Sequence, residues 1–199
     1  SANALLKFLE EPSQDIVAIL ITNNIYEMME TIISRCQIIC LKEDLIDLKK
    51  LDLKERILFS LNKTEEELKV IFDTENVEDL IYKSISFVNY YEKHKLDTFI
   101  YINKIWFEYF KTKESFDIAY QIMLLYYTDI LRMLCNTDVN IFFENKNQML
   151  EICNSSDLQS ISKKVTIIMA LIKKVKQNNN LNLLMDKLLI EFGRCDGLV

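Results

Sequence analysis

The chain has 199 residues, half of them hydrophobic, and a net charge of −6 at pH 7. That is apolar material for one large domain or two small ones, and two glycines and one proline point to many helices and few tight turns. Both glycines, Gly193 and Gly197, lie near the far end, so the sequence contains no glycine-rich phosphate loop. One histidine, His94, and five scattered cysteines with no Cys-x-x-Cys pair argue against a zinc site or a disulfide framework.

The opening segment, "NALLKFLEEP", spaces Leu5, Leu6 and Leu9 as a helix that Pro12 stops. "IVAILIT" is apolar throughout, as in a strand buried on both faces, and "QIICL" reads the same way but shorter. The first 41 residues therefore read as the end of an α/β domain. The chain also opens without a methionine, directly on a helix, which reads as a piece of a longer protein.

Strand signals fade from Lys42 onward. "LKEDLIDLKKLDLKERILFSL" carries leucines at helical intervals, and Thr64 with Glu67 fits a capping box opening a helix through Phe72. "NVEDLIYKSISFVNYYEK" is a further helix, followed by the aromatic-rich "LDTFIYINKIWFEYFK" and "SFDIAYQIMLLYYTDILRMLC". Asn136 to Asn147 is a polar break around a short apolar piece. "SDLQSISKKVTIIMALIKKVKQ" starts on Ser or Asp and ends on lysines, as the helix dipole favours. "NNNLNLLMDKLLIEFG" starts on asparagines and is expected to stop at Gly193 as a C-cap. Boundaries are expected near Lys42, where the α/β pattern ends, and near Lys95, where the aromatic helices begin.

Few residues carry a chemical signal. The acidic and basic side chains alternate on helix faces, the pattern of solvated surface. Trp106 and its aromatic neighbours sit at core spacing rather than as a base-stacking platform. The acidic average argues against a broad phosphate-binding surface, while leaving room for a local basic patch. The thiols read as buried cysteines in a reducing cytoplasm. The most apolar run, "TFIYINKIWFEYF", is broken by Asn103, Lys104 and Glu108 and falls short of the roughly 18 apolar residues of a membrane span. Asn23 and Asn24 end the first apolar run, where functional groups gather in open α/β sheets; a plain Asx turn explains them equally. Arg35, between Ser34 and Cys36, could by itself be a surface ion pair.

Three blocks in order, "ANALLKFLEEP", "ILITNN" and "TIISRCQ", resemble the AAA+ core of bacterial clamp-loader subunits, the delta-prime and gamma/tau subunits of DNA polymerase III. "NNNLNLLMDKLLIEF" resembles the last helix of that family's collar. The resemblance implies a mainly α chain: residues 1–41 the end of an AAA+ core, 42–95 a lid-like helical region, and 96–199 an α-helical collar for oligomerisation. It implies that Arg35 is an arginine finger reaching into a neighbouring subunit's ATP site, with Ser34 and Cys36 shaping its turn and Asn23 at the sensor 1 position. ATP and Mg²⁺ would be held by the neighbours, with no cofactor in this chain. The implied partners are the gamma/tau and delta subunits and, through the assembled complex, the sliding clamp and primed DNA. The family's lid signature of glycine and serine is absent; Ser84 and Ser86 lie in that region, but no glycine precedes Gly193. A degenerate lid and the absence of a long tau-like extension favour delta-prime, a subunit without its own ATPase, over gamma/tau. A helical adaptor with no nucleotide role is the remaining alternative.

Overall fold

The computed structural model describes residues 17–22, 28–39, 47–72, 76–102, 106–177 and 180–198. The chain divides into two compact units, Ser1–Ile46 and Asp47–Val199. Among the described residues the elements are helical: α1 Glu30–Ile33 in the first unit, and in the second α2 Leu53–Leu61, α3 Glu65–Phe72, α4 Val77–His94, α5 Thr98–Tyr101, α6 Phe107–Tyr109, α7 Lys113–Leu134, α8 Lys146–Ser155, α9 Leu158–Val175 and α10 Leu181–Cys195. Short 3₁₀ turns cover Leu48–Lys50, Lys95–Asp97 and Phe143–Asn145. The mainly α expectation holds.

The expected strands do not form among the described residues. Residues 17–22 and 37–39 carry no strand, and Val17 and Ile21 are 86% and 92% exposed. A strand draws its stability from a ladder to neighbouring strands and from helices covering both faces. This sequence offers only two short runs of that kind, and a two-stranded pair is marginal at best.

In the second unit the helix starts follow local chemistry. Asp52 and Glu55 form a reciprocal capping box at α2. Thr64 and Glu67 form the expected one at α3, with Glu67 N–H donating to Thr64 Oγ1 at 3.2 Å and Thr64 N–H to Glu67 Oε2 at 2.8 Å. Thr112 and Ser115 do the same at α7, and Asn76, Asp157 and Asn180 accept from the first turns of α4, α9 and α10.

Helix ends in a glycine-poor chain need another left-handed residue. Asn62 (φ 52°) and Asn136 (φ 56°) fill that role after α2 and α7. Each closes a paired 6→1 and 5→2 arrangement: Lys63 N to Leu58 O with Asn62 N to Phe59 O, and Thr137 N to Arg132 O with Asn136 N to Met133 O. The third such end belongs to α10, where Gly197 (φ 70°) is the left-handed residue and Leu198 N reaches Gly193 O at 2.9 Å. Gly193 is therefore not the expected cap. It lies buried inside α10, which runs on to Cys195.

One buried cluster runs through the second unit. The long helix α7 is its axis, packing against α4, α8 and α9, while α9 also packs against α10. Trp106 is buried between the rings of Phe87, Phe110 and Phe116, at centroid distances of 4.9, 4.1 and 5.9 Å, which bears out its reading as core. The position near Lys95, expected as a boundary, falls within this packing: Phe87, Val88 and Tyr91 of α4 share the cluster with α7, α9 and α10.

Two carboxylates and a lysine inside the cluster are paired, whereas Trp106 Nε1 and Thr98 Oγ1 are buried without a hydrogen-bond partner among the described residues. Asp129, buried on α7, accepts the backbone N–H groups of Asn140, Ile141 and Phe142 at 3.0, 2.8 and 3.0 Å, so the loop after α7 is pinned by one carboxylate. Lys164, in the middle of the apolar face of α9, has a fully buried side chain. Its Nζ lies 2.8 and 3.1 Å from the Glu92 oxygens on α4 and 2.7 Å from Asp196 Oδ1 at the end of α10. Tyr127 OH donates to Glu92 at 2.7 Å, and Tyr91 OH and Ser160 Oγ donate to Asp196 at 2.8 and 3.1 Å. Lys95 bridges the same two carboxylates. Its backbone takes a left-handed φ of 50°, a strained value for lysine that these two ion pairs hold in place. Four helices, α4, α7, α9 and α10, are thus tied at one charged knot.

Candidate functional site

The residues singled out by the sequence lie in the first unit. The N–H groups of Ile32 and Ile33 reach the carbonyl of Met29, starting the single turn of α1, which ends at Ser34 in helical backbone. Arg35 N then bonds Ile32 O at 3.1 Å and Cys36 N bonds Ile33 O at 3.2 Å, so the chain tightens into a turn straight after the helix. Ile32 is buried and anchors this turn, Cys36 is half-buried, and Ser34 and Arg35 are exposed.

The arginine side chain folds back over the turn. Arg35 Nη1 donates to the carbonyl of Thr31 at 2.9 Å and to Ser34 Oγ at 3.4 Å, and Ser34 Oγ donates to the same carbonyl at 3.2 Å. Both side chains therefore satisfy a carbonyl at the helix C-terminus, the negative end of its dipole, where a guanidinium is favoured. The arrangement holds a planar, permanently charged group at the exposed surface, of a shape suited to gripping a phosphate in two-pronged fashion.

Asn23 and Asn24 lie outside the described residues, as does Lys42. Ser84, in the region expected to act as a lid, is buried on α4 and donates to Leu80 O at 3.0 Å. The one histidine, His94, stacks on Tyr90 with centroids 4.3 Å apart. Among the described residues no group of three or more His, Cys, Asp or Glu side chains could hold a metal ion. No described helix is long and apolar enough to cross a membrane.

The knot around Lys164 was not anticipated. Its signal is present in "SISKKVTII", where Lys164 falls between Ile161 and Ile168 on the apolar stripe, and in Glu92, beside Tyr91 on the buried stripe of α4. A charge at core spacing announces burial and a partner; the partner's identity, 72 residues away, it does not announce.

Residues 1–44 match the family described as DNA polymerase III, delta subunit. The chain is 26% identical over 199 aligned residues to "DNA polymerase III subunit delta'" of Bacillus subtilis, an alignment covering 96% of this chain and 60% of that protein. The chain thus spans three fifths of the length of this relative. No solved structure matches the chain at the same stringency. The family match falls on the segment holding Ser34, Arg35 and Cys36, and the longer alignment carries the likeness through the helical unit. Both similarities point to the group that the opening motifs resemble: the chain is similar to the delta family over residues 1–44 and to a delta-prime subunit along 96% of its length.

Proposed function

We propose that the protein acts as the delta-prime subunit of a DNA polymerase III clamp loader, working mechanically and in trans. The observation that carries this reading is the turn after α1: an exposed guanidinium on a short, carbonyl-anchored turn, inside the segment that matches the delta family. In the assembled ring Arg35 exchanges its neutral carbonyl acceptor for the γ-phosphate of ATP bound, with Mg²⁺, to a gamma/tau neighbour. The guanidinium's bond to a carbonyl is already charge-assisted, and a phosphate adds an opposite charge and room for two parallel bonds, so the exchange is favourable. As charge spreads over the transferring phosphoryl oxygens, the fork stabilises it. A finger supplied in trans is worth roughly 10³ to 10⁵ in rate, or about 4 to 7 kcal/mol of barrier. Ser34 holds the turn through Thr31, the Cys36 N–H closes it on Ile33, and Asn23 would serve as sensor 1.

The helical regions serve assembly: residues 42–95 as a lid without nucleotide contacts, and 96–199 as a collar packing with gamma/tau and delta. The assembly opens the sliding clamp and sets it on primed DNA. The charged knot supports this role by joining α4, from the lid-like region, rigidly to α9 and α10. The test is reconstitution of the full-length protein with the ATPase and delta subunits. Size-exclusion chromatography should show one complex, and clamp loading should depend on this subunit. A protein that stays apart from those subunits under conditions where the rest assemble would refute the reading.

A further inference from the structure

One ion pair in the second unit is built asymmetrically. Arg56 of α2 is only 2% exposed, and its guanidinium divides its donors between two distant stretches of chain. Nη1 donates to the carbonyl of Leu51, and Nη2 donates to both carboxylate oxygens of Glu144, 88 residues further on. The Phe143 ring lies against the guanidinium, its centroid 4.9 Å from the central carbon. Nε is buried without a hydrogen-bond partner among the described residues. Glu144, by contrast, keeps its side chain 57% exposed.

The two partners differ in how firmly they are held. Glu144 lies in the 3₁₀ turn Phe143–Asn145, directly after the three backbone N–H groups that Asp129 clamps, so it stands on a fixed post. Arg56 rides on α2 and α3, a pair of helices well made within itself. Capping boxes open both helices, the left-handed Asn62 ends the first, and Lys54 of α2 pairs with Glu65 of α3 at 3.0 Å. Against the rest of the unit the pair is lightly buried. Ile57 is the one apolar side chain that α2 buries fully and Leu68 the one of α3, whereas α7 buries Phe116, Tyr120, Met123, Tyr126, Tyr127 and Ile130. A second polar tie, Lys54 to Glu78 of α4, is longer, at 3.7 Å, and its carboxylate is exposed, so it contributes little. With so little apolar area at stake, the Arg56 contact supplies a large share of what holds α2 and α3 down.

We propose that α2 and α3 form a clasped flap, which opens from the rest of the second unit as one piece at lower cost than global unfolding, with Arg56–Glu144 as its catch. Opening exchanges interactions rather than only losing them. Freed from Glu144, the guanidinium regains water on Nε and on its face, and Glu144 is already hydrated, so the lost ion pair is partly offset. The knot at Lys164 has no such release, because its ammonium and the Glu92 carboxylate are both almost wholly buried. The movable boundary of the helical unit therefore falls between α3 and α4 and not near Lys95, since α4 stays with α7, α9 and α10 through Glu92. Because the catch is electrostatic and half in water, ionic strength sets how often it opens. The inference concerns the second unit alone and does not depend on Arg35 or on the clamp-loader reading.

Hydrogen exchange followed by mass spectrometry on the full-length protein reads the flap directly. In the wild type, amides of residues 53–72 should exchange at least about tenfold faster than those of α7 and α9. Glu144→Gln keeps the shape of the side chain and removes its charge. It should speed residues 53–72 by about a further tenfold and leave α7 and α9 unchanged. Raising salt from about 0.05 to about 0.5 M should speed the same segment in the wild type and hardly at all in the variant. Four results would overturn the proposal. These are α2 and α3 as protected as α7 in the wild type, α2 opening while α3 stays closed, Glu144→Gln speeding every helix alike, or Glu144→Gln leaving residues 53–72 unchanged.

Discussion

Lys164→Met removes the cation at the centre of the charged knot while keeping the length and much of the shape of the side chain. The native ammonium makes three contacts of 2.7 to 3.1 Å with two carboxylates, and both Lys164 and Glu92 are almost wholly out of water. Deleting one partner of a buried ion pair costs about 3 to 5 kcal/mol, because the remaining charge stays desolvated. Lys95 remains as a second cation on both acids, with its side chain 28% exposed, which places the expected loss near the lower end, about 3 kcal/mol. For a chain of this size that is a fall in Tm of about 6 to 12 °C. Urea unfolding followed by far-UV circular dichroism reads the loss directly. Adding Glu92→Gln and Asp196→Asn to Lys164→Met should recover most of it, since uncharged groups of similar shape need no ion pair. A loss below about 1 kcal/mol for the single variant, the scale of an exposed pair, would refute the reasoning.

The same knot sets a pH dependence. Burial pushes Asp196 up, but the hydrogen bond and charge of Lys164, with help from Tyr91 and Lys95, outweigh it and hold the carboxyl below its usual range. Burial pulls Lys95 down, but the charge and hydrogen bond of Glu92 outweigh it and raise the ammonium. The Asp196 contribution is therefore present above the unfolded carboxylate range and lost as pH falls through the lowered folded value. The Lys95 contribution is present below the ordinary lysine range and lost as pH rises through the raised one. Asp196→Asn should flatten the acid limb of a stability-versus-pH curve and weaken the alkaline limb without abolishing it, because Lys95 loses one of its two carboxylates and keeps Glu92. At the end of α7, Asn136→Ala should destabilise by about 1 kcal/mol while Asn136→Gly stays near neutral, because alanine keeps a β-carbon in left-handed backbone without the short polar side chain that lets asparagine tolerate it, and glycine has no β-carbon to place there; equal effects in thermal melts would contradict that role.

Local chemistry was legible where it was self-contained. Thr64 with Glu67, and Asp157 before the apolar stripe of α9, announced their helix starts because cap and capped group lie within three residues. Trp106 was legible as core because its aromatic neighbours recur at helical spacing. Gly193 misled for a related reason. A glycine after an apolar run usually ends a helix, but Gly197 stands one turn further on and takes the left-handed position, leaving Gly193 to pack inside. The apolar runs misled over residues 17–22 and 37–39 because an apolar run states that it suits burial in a sheet and does not name the strand that would pair with it. Lys164 shows the converse limit. Its place on the stripe was visible, but Glu92 and Asp196 come to it from two other elements, and only the fold brings them together. At the candidate site, the family resemblance picked out Ser34, Arg35 and Cys36 as a unit, where the residues alone allowed a surface ion pair. The tether of Arg35 to Thr31 depends on α1 forming, which four residues without a capping side chain do not announce.

The central claim is that Arg35 serves a neighbour's phosphate. Single-turnover ATP hydrolysis by a clamp loader reassembled with the full-length Arg35→Ala variant tests it most directly. The account predicts a fall of about 10³-fold or more in the neighbour's hydrolysis rate, with the complex still forming and the variant's own stability within about 1 kcal/mol of wild type. Hydrolysis at the wild-type rate in an intact complex would contradict it and leave Arg35 as a cap on the end of α1.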